Sequence, residues 1–320
     1  MENLNNLLTN HYILSNNIMW IIFGVLIFIL LFLDLFVFHK DAEEPKIADT
    51  LKLSLYYILI ALVFGLFIIY EQGPSAGMLY YTGYLVEKSL SMDNIFVISL
   101  VFTSLKIPTK YQHRVLFWGI LGAIVMRAAM ILLGAKLVSD FHWVLYLFSF
   151  FLLYTGIKMI VSQDEETSIT DTKIYKFVKR TFKMTRKLYD EHFIVRQNKK
   201  ILITPLLFAL MIIEFMDIIF AVDSIPAIFL ITQDVFIVYT SNIFAILGLR
   251  ALYFLLAASI NKFTYLKPAL AIILIFIGSK IFLPYIGINI VPWQSLIITF
   301  GILLGAIILS LTKSKASNCQ

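Results

Sequence analysis

The chain has 320 residues, 60% of them hydrophobic and only 14% charged, with 28 Phe and a mean hydropathy of +0.88. A soluble domain is about 45–50% apolar and about 25% charged, so a single core surrounded by water is excluded and the composition is that of a polytopic membrane protein. A lone cysteine, Cys319, excludes a disulfide framework or thiolate cluster. The net charge of +6 reads as loop bias on one membrane face rather than as a nucleic-acid surface.

Crossing the hydrocarbon layer takes about twenty mainly apolar residues. Nine such runs follow in chain order: 18–38, 51–70, 78–104, 114–135, 141–161, 201–231, 236–258, 268–287 and 292–312. The first 17 residues hold no Lys or Arg, and the apolar run after them is too long for a signal h-region, so no cleavable signal is expected. The loops after spans one, three, five and seven and the tail 313–320 together carry 20 Lys and Arg, with Lys52 and Arg114 at the span edges included. The N-terminal segment and the remaining loops carry 1, Lys136. The positive-inside rule then places the N-terminus outside and the C-terminus in the cytoplasm.

The linker 162–200 is polar and charged. Lys173, Lys176, Lys179, Arg180, Lys183, Arg186 and Lys187 recur at three- to four-residue spacing beside Ile174, Phe177, Val178, Met184 and Leu188. This reads as an amphipathic basic helix on the anionic lipids of the cytoplasmic leaflet, or as a solvated linker helix. The segment could also dock a protein partner; no aromatic platform suggests nucleic acid.

Eleven charged residues lie within the spans: Asp34, Glu87, Asp93, Glu214, Asp217 and Asp223 against Lys88, Arg127, Lys158, Arg250 and Lys280. Their order repeats. Glu87 precedes Asp93 by six residues, as Asp217 precedes Asp223; Asn94-Ile95 and Ser224-Ile225 follow. Arg127-Ala128 matches Arg250-Ala251, and Gly156-Ile157-Lys158 matches Gly278-Ser279-Lys280. Spans three to five (78–161) and six to eight (201–287) therefore form a three-plus-three duplication. An odd number of spans per copy inverts the second copy, as in secondary transporters whose ligand site lies near the midplane. Residues 1–312 form one transmembrane domain, with spans one, two and nine peripheral to the repeat.

Ionisable groups in hydrocarbon are costly, at least about 2.5–3.5 kcal/mol each at a helix centre. Arg127, Arg250, Lys158 and Lys280 are read as structural charge partners of the acids. Pro226 lacks an N–H and disfavours helix at Ile225, which predicts either a break just after Asp223 or a simple kink. Carboxylate, amide, hydroxyl and carbonyl oxygens suit Mg, Ca or Mn. Met92 and Met216 beside the acids would favour Mn as ligands, or simply fill the core. His11, His39, His113, His142 and His192 fall in loops or at span ends, against an imidazole site for Zn or Ni. No phosphate loop, zinc motif, CxxC or nucleophile–base pair points to an enzyme.

The segments EKSLSMDNIFV (87–97), YQHRVLFWGILGA (111–123), LYTGIKM (153–159), DIIFAVDSIPAIF (217–229), TSNIFAILGLRALYFLL (240–256) and LDLFVF (33–38) resemble the TerC family of membrane proteins, in its Alx-like branch. The resemblance covers about residues 18–312. Met92 departs from a usual branched aliphatic residue and Val235 from an expected Pro. The resemblance implies export of Mn²⁺ or a related divalent cation across the bacterial inner membrane, in some members tied to metal supply for exported proteins. It implies an acidic site of Asp34, Glu87, Asp93, Asn94, Asp217, Asp223 and Ser224, with the metal as cargo and no permanently bound cofactor. Proton coupling through the surplus acids is a further expectation. A non-transporting scaffold and a channel are the competing readings.

Overall fold

Prolines and capping residues decide where the helices start. Pro74, Pro205 and Pro292 each stand in a first helical turn, where a missing N–H costs nothing. Asp234 caps another helix, its Oδ1 accepting from Phe236 N at 2.8 Å and Ile237 N at 3.3 Å, so Val235 in place of proline leaves that start intact. The chain is seen in a computed structural model that describes residues 14–36, 47–141, 143–161, 185, 189, 192–197, 200–257 and 265–317.

These residues are mostly helical: α1 (Asn16–Phe36), α2 (Ile47–Gln72), α3 (Pro74–Ser104), α4 (Thr109–Asp140), α5 (Val144–Val161), α6 (Pro205–Ile231), α7 (Val235–Leu247), α8 (Leu249–Ala257), α9 (Leu266–Lys280) and α10 (Pro292–Ser317). A 3-10 turn, Leu283–Ile286, follows α9. Before α6 stands a short antiparallel hairpin, β1 (Ile194–Gln197) with β2 (Lys200–Ile203), in register Ile194 to Ile203. Among the described residues, seven helical stretches are long and apolar enough to cross a membrane: Asn16–Asp34, Asp49–Gln72, Thr109–Asp140, Val144–Val161, Pro205–Ile231, Val235–Phe254 and Pro292–Ser310. The chain is thus a polytopic helical membrane protein. Helix α3 is long enough but too polar for that group, and the apolar stretch Pro268–Lys280 is too short.

Two expectations are corrected. Span six does not begin at residue 201, because Lys200–Ile203 pairs as a strand and the helix starts at Pro205 after the N-cap Thr204. The Thr204 hydroxyl donates to the His192 carbonyl at 2.7 Å, which ties the hairpin to the helix start. Neither α3 nor α6 is broken: α6 runs unbroken through Pro226. The proline removes one donor, yet Ala227, Ile228 and Phe229 are buried on both sides of the next turn, and their packing holds the helical path. The interruption falls instead in span seven, where Gly248 separates α7 from α8. The basic helix expected at 173–188, and with it the proposed docking segment, lies outside the described residues.

The Val235–Phe254 stretch is 89% buried, against 22–39% for the other six, so α7–α8 forms the axis of the molecule. Trp20, Phe23, Phe64 and Tyr80 gather around its first half against Phe236, Tyr239 and Phe244. The packing among the helices from α3 to α9 is reciprocal: α3 lies on α7 and α6 on α4, while α3 meets α6, α4 meets α7, and α5 meets α9. The last contact is very close. A Cβ on Gly156 would stand 2.8 Å from the Ala271 carbonyl oxygen, and one on Gly278 would stand 3.0 Å from that of Ser149. On the outer surface of the bundle the apolar side chains Ile21, Phe28, Val63, Leu133 and Phe150 are exposed, as a lipid-facing surface requires.

Candidate functional site

Three helices deliver polar groups to one guanidinium carried by a fourth. Arg127, on α4, is 1% exposed. Its Nη1 donates to the Glu87 carboxylate of α3, to Asn242 Oδ1 of α7 at 2.9 Å and to Ser224 Oγ of α6 at 3.3 Å. Its Nη2 and Nε donate to the two oxygens of Asp217 on α6 at 3.0 and 3.4 Å, the two-pronged geometry that a planar guanidinium favours. Asn94 Nδ2 donates to Asp217 Oδ1 at 3.3 Å. One cation therefore faces two carboxylates, and those two acids hold corresponding places in the repeated sequence pattern. Glu87 Oε2, Asn94 Oδ1 and Asn242 Nδ2 have no hydrogen-bond partner among the described residues.

A second cluster stands apart. Arg250, on α8, pairs with the Asp34 carboxylate of α1, and its Nη2 reaches the Asp34 carbonyl at 3.3 Å. The Tyr57 hydroxyl of α2 bonds the same carboxylate. Asp34 is thus tied to Arg250 and is not brought to the Arg127 group. Between the clusters, Lys88 Nζ donates to the Ala245 carbonyl at 3.1 Å, at the C-terminal end of α7 where helix carbonyls favour a cation. Gly248 makes room for it: a Cβ there would lie 2.8 Å from Lys88 Nζ.

Other expected site residues fare differently. Asp93 and Asp223 sit on α3 and α6, and their side chains lie outside the described part of the structure. Lys158 is exposed on α5 with its ammonium 6.0 Å from the Tyr154 ring centre. Among the described residues neither Lys158 nor Lys280 meets a carboxylate. A lysine near the end of a membrane helix can instead direct its ammonium toward the interface. Nor do three Asp, Glu, His or Cys side chains close into a metal cage among the described residues.

Two participants are absent from the expected set. Asn242 lies in the polar triplet Thr240-Ser241-Asn242, all buried, inside an otherwise apolar span. That interruption is the signal that could have found it. Glu214 falls outside the six-residue acidic spacing, but its carboxylate packs against Gly122 of α4. With Asn94 and Asp217 it lines a cavity between α3, α4, α6 and the α7–α8 junction.

The fold and its buried charges define a multi-pass helical membrane protein with an ionic centre inside the bundle. Residues 72–318 match the profile of the integral membrane protein TerC family, and the chain belongs to that family. Its relatives match over nearly their whole lengths. An uncharacterized membrane protein of Rickettsia felis is 48% identical over 296 residues, 92% of this chain and 98% of the relative. One from Myxococcus xanthus is 44% identical over 297 residues, 93% of each chain. Alx of Escherichia coli strain K12, provisionally described as a membrane-bound redox modulator, is 41% identical over 303 residues, covering 92% of this chain and 94% of Alx. No solved structure matches the chain.

Proposed function

We propose that the protein exports a divalent cation, with Mn²⁺ as its cargo, from the cytoplasm across the bacterial inner membrane. The observation that carries this reading is the shared guanidinium. Glu87 and Asp217 occupy corresponding positions in two inverted copies, and both are held by Arg127 where α3 and α6 meet. An inverted repeat with charged groups at its junction is the arrangement of secondary transporters. The reciprocal helix packing supports nine spans with the repeat at α3–α5 and α6–α9, and the basic loops support an N-terminus outside and a C-terminus inside. Oxygen donors dominate the centre, which suits a hard divalent ion, and Met216 beside Asp217 adds a thioether that Mn²⁺ accepts more readily than Mg²⁺ or Ca²⁺.

In this reading Asp93 and Asp223 bind the ion with Asn94 and Ser224, and Glu87 and Asp217 exchange protons against it. Cells expressing wild type should accumulate less Mn than cells carrying Asp93→Asn or Asp223→Asn, measured beside Zn, Fe, Ca and Mg. Equal Mn content in all three strains would remove the transport reading. Proton exchange is tested by Mn²⁺ uptake into proteoliposomes, which should move protons the opposite way. Transport independent of pH and without proton counterflow removes that part alone.

A further inference from the structure

Glu214, Asn94 and Asp217 surround space that the Arg127 group leaves unused. The cavity measures about 30 Å³ and is otherwise walled by apolar side chains such as Ile98, Ile120 and Ile213. That is room for an ion with about one or two waters. Asn94 is 7% exposed, lines this space, and has an Oδ1 without a partner among the described residues. Glu214 meets no basic side chain among the described residues, unlike Glu87 and Asp217. Gly122 is what admits it, since any Cβ there would collide with the Glu214 carboxylate.

The position along the helices is equally informative. Asn94 lies ten residues before the end of α3 at Ser104, Gly119 ten after the start of α4 at Thr109, and Glu214 nine after the start of α6 at Pro205. At 1.5 Å per residue each lies about 15 Å from those helix ends. Arg127 is eight residues further along α4, and Glu87 is seven residues further back along α3. The 104, 109 and 205 ends adjoin the basic loops, the face that loop charge assigns to the cytoplasm. An ion entering from that face meets the cavity before it meets the Arg127 group.

We infer that Glu214, Asn94 and Asp217 form the entry site for a hard divalent cation approaching from the cytoplasm. There the ion exchanges part of its water shell for two carboxylates and an amide oxygen. This rests on the export reading above and adds Glu214 to it. Full-length protein in proteoliposomes, with Mn²⁺ as the probe, separates the two. Wild-type vesicles that move no Mn²⁺ would overturn the export reading itself. Where wild type transports, Glu214→Gln is expected to raise the KM for Mn²⁺ at least tenfold and Asn94→Leu to raise it severalfold, while Lys280→Met leaves it unchanged. An unchanged KM in Glu214→Gln, whatever happens to the maximal rate, overturns the entry site and leaves export standing. If that variant does not fold, Glu214→Asp decides. Its shorter side chain should raise the KM about threefold, and a wild-type KM overturns the site.

Discussion

Arg127 shows how much one side chain organises at the scale of single residues. Its guanidinium satisfies groups on α3, α6 and α7 while itself projecting from α4, so its removal strands two carboxylates inside the bundle. Breaking a buried pair by deleting one partner costs about 3–5 kcal/mol, mostly as an uncompensated charge. Arg127→Gln should therefore destabilise the protein by about that amount in unfolding by detergent titration. Adding Glu87→Gln should recover part of the loss, and strict additivity of the two substitutions would show that the groups are uncoupled. Arg127→Lys keeps the charge but not the two-pronged hold on Asp217, so it should fall between wild type and Arg127→Gln. The acids and arginines were legible because charge in an apolar run is conspicuous. Asn242 was not, because an amide gives little hydropathy signal, and its meaning comes from the arginine three helices away in sequence.

At the scale of elements, composition predicted the helices well and their irregularities poorly. Pro226 is the strongest breaker signal in the chain, yet α6 continues through it because buried neighbours on both sides outweigh one lost hydrogen bond. The break occurs at Gly248, where the chain gives way to a lysine ammonium on α3, a partner 160 positions away in the sequence. Close helix approach makes a second prediction. Gly156→Val should destabilise by about 1–3 kcal/mol, because the added carbons press on the backbone of α9. Gly301→Val, on α10 where nothing lies within 4 Å of a new Cβ, should leave the unfolding midpoint close to wild type. Equal effects at the two positions would show that α5 and α9 do not touch as closely as their glycines indicate.

For the whole molecule, the asymmetry of basic loops makes a prediction that needs no engineered probe. Cys319 is the sole cysteine and lies in the C-terminal tail. A membrane-impermeant maleimide added to intact spheroplasts should leave it unlabelled, and permeabilising the membrane should expose it. Labelling before permeabilisation would invert the proposed topology and, with it, the side from which an ion reaches Glu214. The same single cysteine means that a dithiol–disulfide reaction within this chain has no second thiol to use. The central place of α7–α8 was not legible in the sequence, since a span sheathed in protein and a span facing lipid are both apolar.

Apolar runs, loop charges and duplicated acids were determined by sequence alone, because bilayer thickness, charge translocation and spacing along the chain are one-dimensional constraints. They settle that the chain spans a membrane many times and that its few internal charges cluster on spans three and six. Partner choice was decided only in three dimensions. Arg127 takes Glu87 and Asp217, Arg250 takes Asp34, and Lys88 takes a carbonyl at the end of α7. A buried ion must find compensation within hydrogen-bond reach, and which groups come within that reach depends on how the helices cross. The sequence pattern therefore identifies the ionisable residues, and the packing decides which are neutralised and which, like Glu214, face open space.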